Sequence, residues 1–270
     1  PAIEVDMIIS FSCQNFRSIR EKVTLDFQAS PDKHQREFFV VDVLKPRLKV
    51  LKTAMIYGAN ASGKTNILMA LDALRRIVNY EPQNKEVRIP VQPYVLDSGN
   101  PSVFDISFIA GGILYEYHLE VDKKSIRREL LNCYPKGLKA LVYDRELIDD
   151  KSNQYEYNWR GSEFTSQQEK VMGLLLQNRT VISGVGTFLY NGPINEVRLW
   201  FLETLNTVIY PKTDLFQHYL SKYVLPNDES TYAFFVDQLK KADFQISGMK
   251  PKQTRFSLVK TYETGNDLRV

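Results

Sequence analysis

Residues 50–65 read VLKTAMIYGANASGKT. The last eight of them match the pattern G-x-x-x-x-G-K-[ST], in which two glycines shape a tight backbone turn and a lysine follows the second glycine. An apolar, β-prone run over 50–57 predicts a strand that leads into this pattern. The segment Asn66 to Val78 predicts an amphipathic helix after it, with one apolar stripe made of Ile67, Leu68, Leu71, Leu74, Ile77 and Val78. Strand, glycine-rich loop and helix in this order are typical of a phosphate-binding loop.

Each residue type in the loop has a physical part in holding phosphate. Gly58 and Gly63 permit the tight backbone path, so the amides from Asn60 to Thr65 can point inward at the helix N-terminus. Lys64 is the predicted catalytic residue because its ammonium would reach the β- and γ-phosphates, and the Thr65 hydroxyl would ligate the metal. The predicted cofactors are ATP and Mg²⁺. The predicted nucleotide contacts of this segment are Gly58, Asn60, Ala61, Ser62, Gly63, Lys64, Thr65 and Asn66.

The composition is that of an ordinary globular protein. The 270 residues are 43% apolar and 25% charged, which excludes a disordered or collagenous chain and leaves room for one large domain or two modest ones. Lys and Arg number 35 against 32 Asp and Glu, a net charge of +3. This balance is too even to indicate nucleic-acid binding by charge alone.

The cysteines, the histidines and the hydropathy exclude further classes of protein and of metal site. The two cysteines, Cys13 and Cys133, exclude a disulfide scaffold and a cysteine-based zinc site, and they suit a reducing compartment. No apolar run approaches the roughly 18 residues of a membrane span, so we expect a cytoplasmic protein without a membrane partner. The three histidines show no metal-ligand spacing and are interpreted as surface or core residues: His34, His118 and His218.

The pattern of hydrophobicity changes along the chain. Residues 8–27 predict two strands joined by a polar turn, and residues 86–147 are β-rich. A polar, turn-rich stretch at 149–162 indicates a boundary. Beyond it we expect helices over Glu169–Asn178, Glu196–Ile209 and Thr231–Asp243, and a late strand over 254–262. The expected organisation is a lobe at 7–150 that carries the loop, a helical segment at 160–250, and the start of a C-terminal lobe at 251–270.

Two longer stretches carry a family resemblance. FSCQNFRSIREKVTLDF (11–27) and MIYGANASGKTNILMALDAL (55–74) resemble the N-terminal lobe of ABC/SMC-type ATPase heads. They are most similar to bacterial AAA-family ATP-binding proteins of abortive-infection, retron, Septu and OLD-like phage-defence systems. The resemblance implies an α/β fold, a P-loop NTPase of the ABC/SMC-head type. Its sheet would be mixed, with a β-rich N-terminal lobe and a largely helical segment after about residue 160.

The same resemblance suggests roles for residues outside the loop. Arg17 would contact the phosphate or base of the nucleotide, although an exposed turn arginine is the competing interpretation. Gln92 would be a metal- and water-binding glutamine, against the competing interpretation of a surface glutamine. The stretch AFFVDQ at 233–238 offers Asp237 as an acidic candidate, but Gln238 stands where a catalytic glutamate is expected, and helix core is the favoured interpretation.

The function implied by the resemblance is that of a switch. ATP would bind, and be hydrolysed in the complete head dimer, to sense infection or to gate an associated nuclease or toxin effector. The expected partners are a homodimer or higher oligomer of heads and that effector, with nucleic acid left open. Neither a signature helix nor an acidic strand is found, so we expect an N-terminal portion of a head. The alternatives are a RecF/SMC-like DNA-maintenance ATPase, a non-hydrolysing nucleotide-binding scaffold and a P-loop kinase.

Overall fold

A computed structural model describes residues 5–31, 35–44, 48–60, 62–159, 175–185 and 192–207, together with residues 233, 234 and 237. The chain divides into two compact units, Pro1–Ile209 and Tyr210–Val270. Every helix and strand given below with its bounds lies in the first unit. In the second unit, Ala233, Phe234 and Asp237 are helical.

The described β-structure consists of nine strands: β1 (Met7–Gln14), β2 (Val23–Asp26), β3 (Val40–Val43), β4 (Leu48–Leu51), β5 (Ser102–Ala110), β6 (Ile113–Val121), β7 (Ile126–Cys133), β8 (Ala140–Asp149) and β9 (Gln154–Trp159). Seven of them form one sheet in the order β2-β1-β5-β6-β7-β8-β9, and β3 pairs with β4. The sequence predicts a mixed sheet, but every neighbouring pair of these strands is antiparallel. Short connections from β5 to β9 explain this, because only antiparallel neighbours can be joined by a tight turn.

Alternating burial forms one apolar face on the large sheet. On β5, Phe104, Ile106 and Phe108 are buried, whereas Asp105 faces the other side. This is the period-two pattern of a strand with one side in the core. The predicted N-terminal strand pair is confirmed, since β1 and β2 pair antiparallel. The β-rich character of 86–147 is confirmed as well, and the final strand β9 lies within the polar stretch 149–162.

The first unit contains four described α-helices: α1 (Arg36–Phe39), α2 (Lys64–Val78), α3 (Val181–Val185) and α4 (Pro193–Leu199). A π-helical turn, Trp200–Thr204, follows α4. The predicted helix after the glycine-rich loop is thus confirmed as α2. No helix in the described parts of the chain is both long enough and apolar enough to cross a bilayer.

The helices predicted after residue 160 are confirmed only in part. The one expected over Glu196–Ile209 begins earlier, at Pro193, and its helical turns end at Thr204. Residues 175–178 are not helical, and the rest of the predicted helix over Glu169–Asn178 lies outside the described residues. Of the segment Thr231–Asp243, Ala233, Phe234 and Asp237 are described; they are helical, but all three are exposed rather than part of a core. The predicted strand at 254–262 lies outside the described residues.

The prediction of a strand over 50–57 is wrong beyond Leu51. The strand β4 ends there, and residues 53–59 have no regular secondary structure. Met55 is 72% exposed and Tyr57 is 82% exposed. A strand needs a neighbour that completes its ladder of hydrogen bonds. The ladder with β3 pairs Leu51 with Val40 at its end, so the apolar run continues as extended chain without that partner.

The main core forms where α2 and the π-helical turn pack on the apolar face of the sheet. Leu74, Ile77 and Val78 of α2 are buried there. Trp200 stacks on Phe108 of β5, with ring centroids 4.0 Å apart and planes inclined by 24°. The predicted apolar stripe of α2 is therefore confirmed in its C-terminal half, whereas Leu68 is exposed.

A buried ion pair joins the sheet to the segment around α3. Glu129 on β7 and Arg145 on β8 are fully buried, with Oε2 and Nη1 4.0 Å apart. Tyr117 and Tyr143 donate hydroxyl hydrogen bonds to Glu129 at 3.0 and 2.8 Å, and the amide of Val181 donates one at 2.7 Å. Burial raises the pKa of the Glu129 carboxyl, and the nearby Arg145 charge and these donors oppose the rise.

Arg145 also holds the segment around α3, through hydrogen bonds to its backbone. Its guanidinium donates to the carbonyl oxygen of Arg179 at 2.7 Å and to that of Leu176 at 3.2 Å. The ring of Tyr155 on β9 lies 4.0 Å from the guanidinium carbon, within cation–π range. The pair therefore holds residues 176–181 against the sheet.

The opposite face of the sheet carries a charged cluster around His118 on β6. Its Nδ1 lies 2.6 Å from Asp105 Oδ1, and its Nε2 lies 3.1 Å from Glu120 Oε1. Lys22 also donates to Asp105, at 2.8 Å. Partial burial lowers the pKa of the imidazole, but the two carboxylates outweigh this effect and raise it to about 9. His118 is therefore a charged partner of the cluster at neutral pH.

Replacement of Arg145 by methionine should lower the free energy of unfolding by about 3–5 kcal/mol, because it leaves Glu129 buried without its counter-charge. Urea titration of wild type and Arg145→Met measures this. The double variant with Glu129→Gln should lose less than the sum of the two single losses, because the two groups are coupled. A loss below about 1 kcal/mol for Arg145→Met would contradict the assignment.

The His118 cluster predicts a pH dependence of stability. A raised pKa in the folded state contributes stability that is complete below the unfolded value of about 6.5. That contribution is lost as the pH rises through about 9. Urea titrations at several pH values between about 7 and 10 should show a steeper loss of stability for wild type than for His118→Gln. Parallel curves for the two proteins would exclude this contribution.

Candidate functional site

The loop at 58–65 has a backbone that requires glycine at two positions. Gly58 and Gly63 have φ angles of 155° and 93°. A Cβ atom on Gly58 would lie 2.8 Å from the Ser62 hydroxyl oxygen, and one on Gly63 would lie 3.3 Å from that of Ser18. Positive φ and the lack of space both disfavour a side chain. Of the predicted contacts in this segment, Ala61 lies outside the described residues.

The side chain of Lys64 folds back into the loop. Its ammonium donates hydrogen bonds to the carbonyl oxygens of Gly58 at 2.7 Å and Ala59 at 2.6 Å. Neutral carbonyls are weaker partners for an ammonium than anionic oxygens. The Lys64 ammonium therefore lies within the loop, and phosphate oxygens can replace the two carbonyl oxygens as its partners.

The loop ends in the N-terminus of a long helix. Lys64 is the first residue of α2, and Gly63 before it caps the helix without a side-chain hydrogen bond. The first turn holds no acidic residue, so the positive end of the helix dipole is not compensated by a carboxylate of that turn. Thr65 is exposed, as are Asn60 and Ser62. This arrangement suits an anion that approaches from solvent.

One amide of the loop and one amide of the first turn of α2 donate to carbonyl oxygens of the loop itself. The Ser62 amide donates to the carbonyl oxygen of Ala59 at 3.2 Å, and the Asn66 amide donates to that of Gly63 at 2.9 Å. The sequence predicts that the amides from Asn60 to Thr65 point at a ligand. For Ser62 the structure shows an internal partner instead.

The turn between β1 and β2 lies against the first turns of α2. Asn66 donates from Nδ2 to the hydroxyl of Ser18 at 2.5 Å. The guanidinium of Arg17 contacts the sulfur of Met69. From the resemblance, we expect Arg17 near the nucleotide. In the structure, the turn that contains Arg17 lies beside the glycine-rich loop.

The loop that contains Gln92 is tied to the same turn. The amide of Arg17 donates to the carbonyl oxygen of Gln92 at 2.8 Å, and the Gln92 side chain is exposed. Three segments that are distant in sequence therefore meet: the glycine-rich loop, the Arg17–Ser18 turn and the residues around Gln92. Asp237, the acidic candidate, is an exposed helical residue of the second unit, and Gln238 lies outside the described residues.

The far half of α2 is anchored by a buried carboxylate. Thr207 donates to Asp72 at 2.5 Å, and Arg76 also pairs with Asp72. Burial raises the pKa of Asp72, but hydrogen bonds from Thr207 and Arg76 outweigh this effect, and the pKa is lowered. Asp72 is not part of the predicted apolar stripe, yet it is buried, and its carboxylate joins α2 to Thr207.

Sequence reasoning missed the parts played by Ser18 and Asp72. Ser18 directly follows Arg17 in the stretch NFRS (15–18), of which only the arginine was predicted to act at the site. The only available signal was the presence of small polar residues in a turn, which hydrogen-bond to neighbouring backbone. The partners lie 48 residues away for Ser18 and 135 residues away for Asp72, so periodicity does not show them.

The family of the chain follows from a comparison with protein-family models. A family model described as "AAA domain, putative AbiEii toxin, Type IV TA system" matches residues 54–244. The matched range includes the glycine-rich loop, α2 and the strands from β5 to β9. None of the curated proteins matches the chain.

Replacement of Gly63 by alanine should lower the free energy of unfolding by about 1–2 kcal/mol, the usual cost of a left-handed conformation for a residue with a Cβ atom. Gly99→Ala is the matched control, because nothing lies within 4 Å of its Cβ position. It should change stability by less than about 0.5 kcal/mol. Equal effects of the two substitutions in urea titrations would refute the conformational requirement at Gly63.

Proposed function

The chain belongs to the family of AAA domains that matches residues 54–244, and from this premise we propose that it is the nucleotide-binding part of an ATP-driven switch in bacterial anti-phage defence. Membership makes it a P-loop NTPase domain of the AAA type with an α/β fold, as the sequence predicts. The family description also names a toxin–antitoxin system. That description supports a role beside a toxin or nuclease effector.

One observation carries the proposal of nucleotide binding. The Lys64 ammonium stands inside a loop shaped by two glycines with positive φ, held by two carbonyl oxygens. The β- and γ-phosphates of ATP would replace these carbonyls and form charge-assisted hydrogen bonds, which are about twice as strong as neutral ones. The proposed nucleotide contacts are Arg17, Gly58, Asn60, Ala61, Ser62, Gly63, Lys64, Thr65 and Asn66.

Mg²⁺ fits the same end of α2. Thr65 is exposed at the second position of the helix, next to the lysine, and supplies a hard oxygen ligand. When bound, Mg²⁺ neutralises charge that develops on the phosphates. The part of this chain is to hold the phosphates through Lys64 and the loop, and to hold the metal through the Thr65 hydroxyl.

Hydrolysis needs a group that orients the attacking water. We place that group, as in the ABC/SMC heads that the sequence resembles, in a complete head formed when two copies sandwich the nucleotide. Dimerisation and hydrolysis would then be one coupled change that controls the effector.

Two groups of exposed apolar side chains support a protein partner. Met55 and Tyr57 precede the loop, and Val95 and Leu96 follow Gln92 with exposures of 80% and 84%. Apolar groups gathered on a surface are typical of sites of protein interaction. The basic pair Arg127 and Arg128, by contrast, is engaged in ion pairs with aspartates and gives no support to DNA binding.

The test is calorimetric titration of MgATP into wild type and Lys64→Ala. Loss of the charged hydrogen bonds should weaken binding by at least about tenfold. Lys52→Ala is the matched control, since the ammonium of this exposed lysine donates only to the carbonyl oxygen of Glu37 among the described hydrogen bonds of its side chain. It should bind like wild type.

Equal MgATP affinity of Lys64→Ala and wild type would overturn the proposal. Phosphate release by the wild-type protein, with Lys64→Ala as the blank, distinguishes an ATPase from a non-hydrolysing scaffold. Turnover above the blank supports the ATPase. Turnover equal to it supports the scaffold only for a protein that sedimentation shows to be dimeric with MgATP bound.

A further inference from the structure

The side chain of Asn15 is buried, and its hydrogen bonds within the described part of the chain all go to the backbone of one loop. Asn15 is 3% exposed. Its Nδ2 donates toward the carbonyl oxygens of Asp97, Asn100 and Pro101 at 3.1, 2.9 and 3.1 Å. Its Oδ1 accepts from the amide of Tyr94 at 3.1 Å. One carboxamide therefore binds both ends of the loop 92–101.

The backbone of Asn15 is also held by hydrogen bonds. Its φ angle is 52°, in the left-handed region that asparagine tolerates better than other residues with side chains. Its amide donates to the carbonyl oxygen of Arg20 at 3.1 Å, and its own carbonyl accepts from the Ser102 hydroxyl at 2.6 Å. Asn15 thus starts the turn that presents Arg17 and Ser18.

Among the described residues, few other hydrogen bonds join the loop 92–101 to the rest of the chain. The short helical turn Val95–Asp97 within it contains no buried residue, and Val95 and Leu96 point to solvent. The bond from the Arg17 amide to the carbonyl oxygen of Gln92 ties the start of the loop to the turn. The Asn15 carboxamide supplies four further contacts to the loop, so its loss should release the loop.

The Arg17–Ser18 turn also contacts the glycine-rich loop. Phe16 and Ile19 are buried and exchange two backbone hydrogen bonds of 2.8 Å, which leaves Arg17 and Ser18 at the tip. Ser18 accepts from Asn66 at 2.5 Å, and its oxygen lies next to Gly63. A continuous set of contacts therefore runs from the loop 92–101 through Asn15 and the turn to the first turn of α2.

We propose that Asn15 is a positioning residue of the nucleotide site, which holds the Arg17–Ser18 turn and the loop 92–101 in one arrangement beside the glycine-rich loop. The inference rests on the proposed function, because it assumes that the nucleotide binds at residues 58–65. Asn15 itself does not touch the ligand. It acts through Arg17, Ser18 and Gln92, and its carboxamide is needed because a carboxylate at this position has no hydrogen to donate to three carbonyl oxygens.

The experiment uses two variants of Asn15. Glycine tolerates the φ of 52° and removes the carboxamide, whereas aspartate keeps the shape and the acceptor for the Tyr94 amide but cannot donate. MgATP affinity is measured by calorimetry at a temperature well below the unfolding transition of each variant. Hydrogen exchange of the segments 15–20 and 92–101 is followed by mass spectrometry with and without MgATP.

We expect MgATP to protect both segments in wild type. In Asn15→Gly and Asn15→Asp the affinity should fall by about tenfold, because misplaced contact groups lose much of their binding energy. The nucleotide-dependent protection of 92–101 should disappear in both variants. A purely structural role would lower the melting temperature and leave these two readouts unchanged.

Tyr155→Phe is the control for general destabilisation. It removes a hydroxyl that donates to the carbonyl oxygens of Ile126 and Gln177, on the strand at the opposite edge of the sheet from β2. Tyr155→Phe should lower the melting temperature, but its MgATP affinity should equal that of wild type. If Asn15→Gly does not fold, the same measurements are made on Asn15→Asp and on the milder variant Ser102→Ala. Ser102→Ala removes the hydrogen bond to the Asn15 carbonyl oxygen.

The outcomes separate the two proposals. Wild-type affinity and protection in the Asn15 variants, together with weak binding by Lys64→Ala, would overturn the positioning role alone. Wild-type affinity of Lys64→Ala would overturn the nucleotide site itself, and the inference about Asn15 with it.

Discussion

Leu74, Ile77 and Val78 of α2 pack on the apolar face of the sheet, and the glycine-rich loop depends on this contact. Each such buried side chain contributes roughly 1.5–3 kcal/mol. Asp72 adds a polar anchor through Thr207. The N-terminus of α2 is therefore fixed by contacts at its other end, and Lys64 and Thr65 emerge from a rigid element. A site built on a helix is held more closely than one built on a free loop.

Around that fixed end, the remaining segments are held by polar side-chain contacts. Asn15 binds the loop 92–101, and Ser18 meets Asn66 at the start of α2. Glu129 and Arg145 play a comparable part away from the site, where they hold residues 176–181 on the sheet. Buried polar groups such as the Asn15 carboxamide and the Glu129 carboxylate are costly unless they are paired, so their hydrogen bonds favour one arrangement of the chain.

The sequence predicted best where the pattern is local. The alternation in β5 and the 3.6-residue period of α2 indicated both elements, and the positive φ angles of Gly58 and Gly63 follow from the motif. The strand over 50–57 was wrong because an apolar run does not show whether a neighbouring strand exists. Asp72, Glu129 and Asn15 were missed because their partners lie on distant segments, and pairing across such distances leaves no period in the sequence.

The central claim is that residues 58–65 bind the phosphates of a nucleotide. The most direct test is a crystal structure of the protein with Mg²⁺ and a non-hydrolysable ATP analogue. We expect the Lys64 ammonium to leave the carbonyl oxygens of Gly58 and Ala59 and to contact the β- and γ-phosphates, with Mg²⁺ on the Thr65 hydroxyl. A nucleotide bound elsewhere, with Lys64 still on those two carbonyls, would contradict the account.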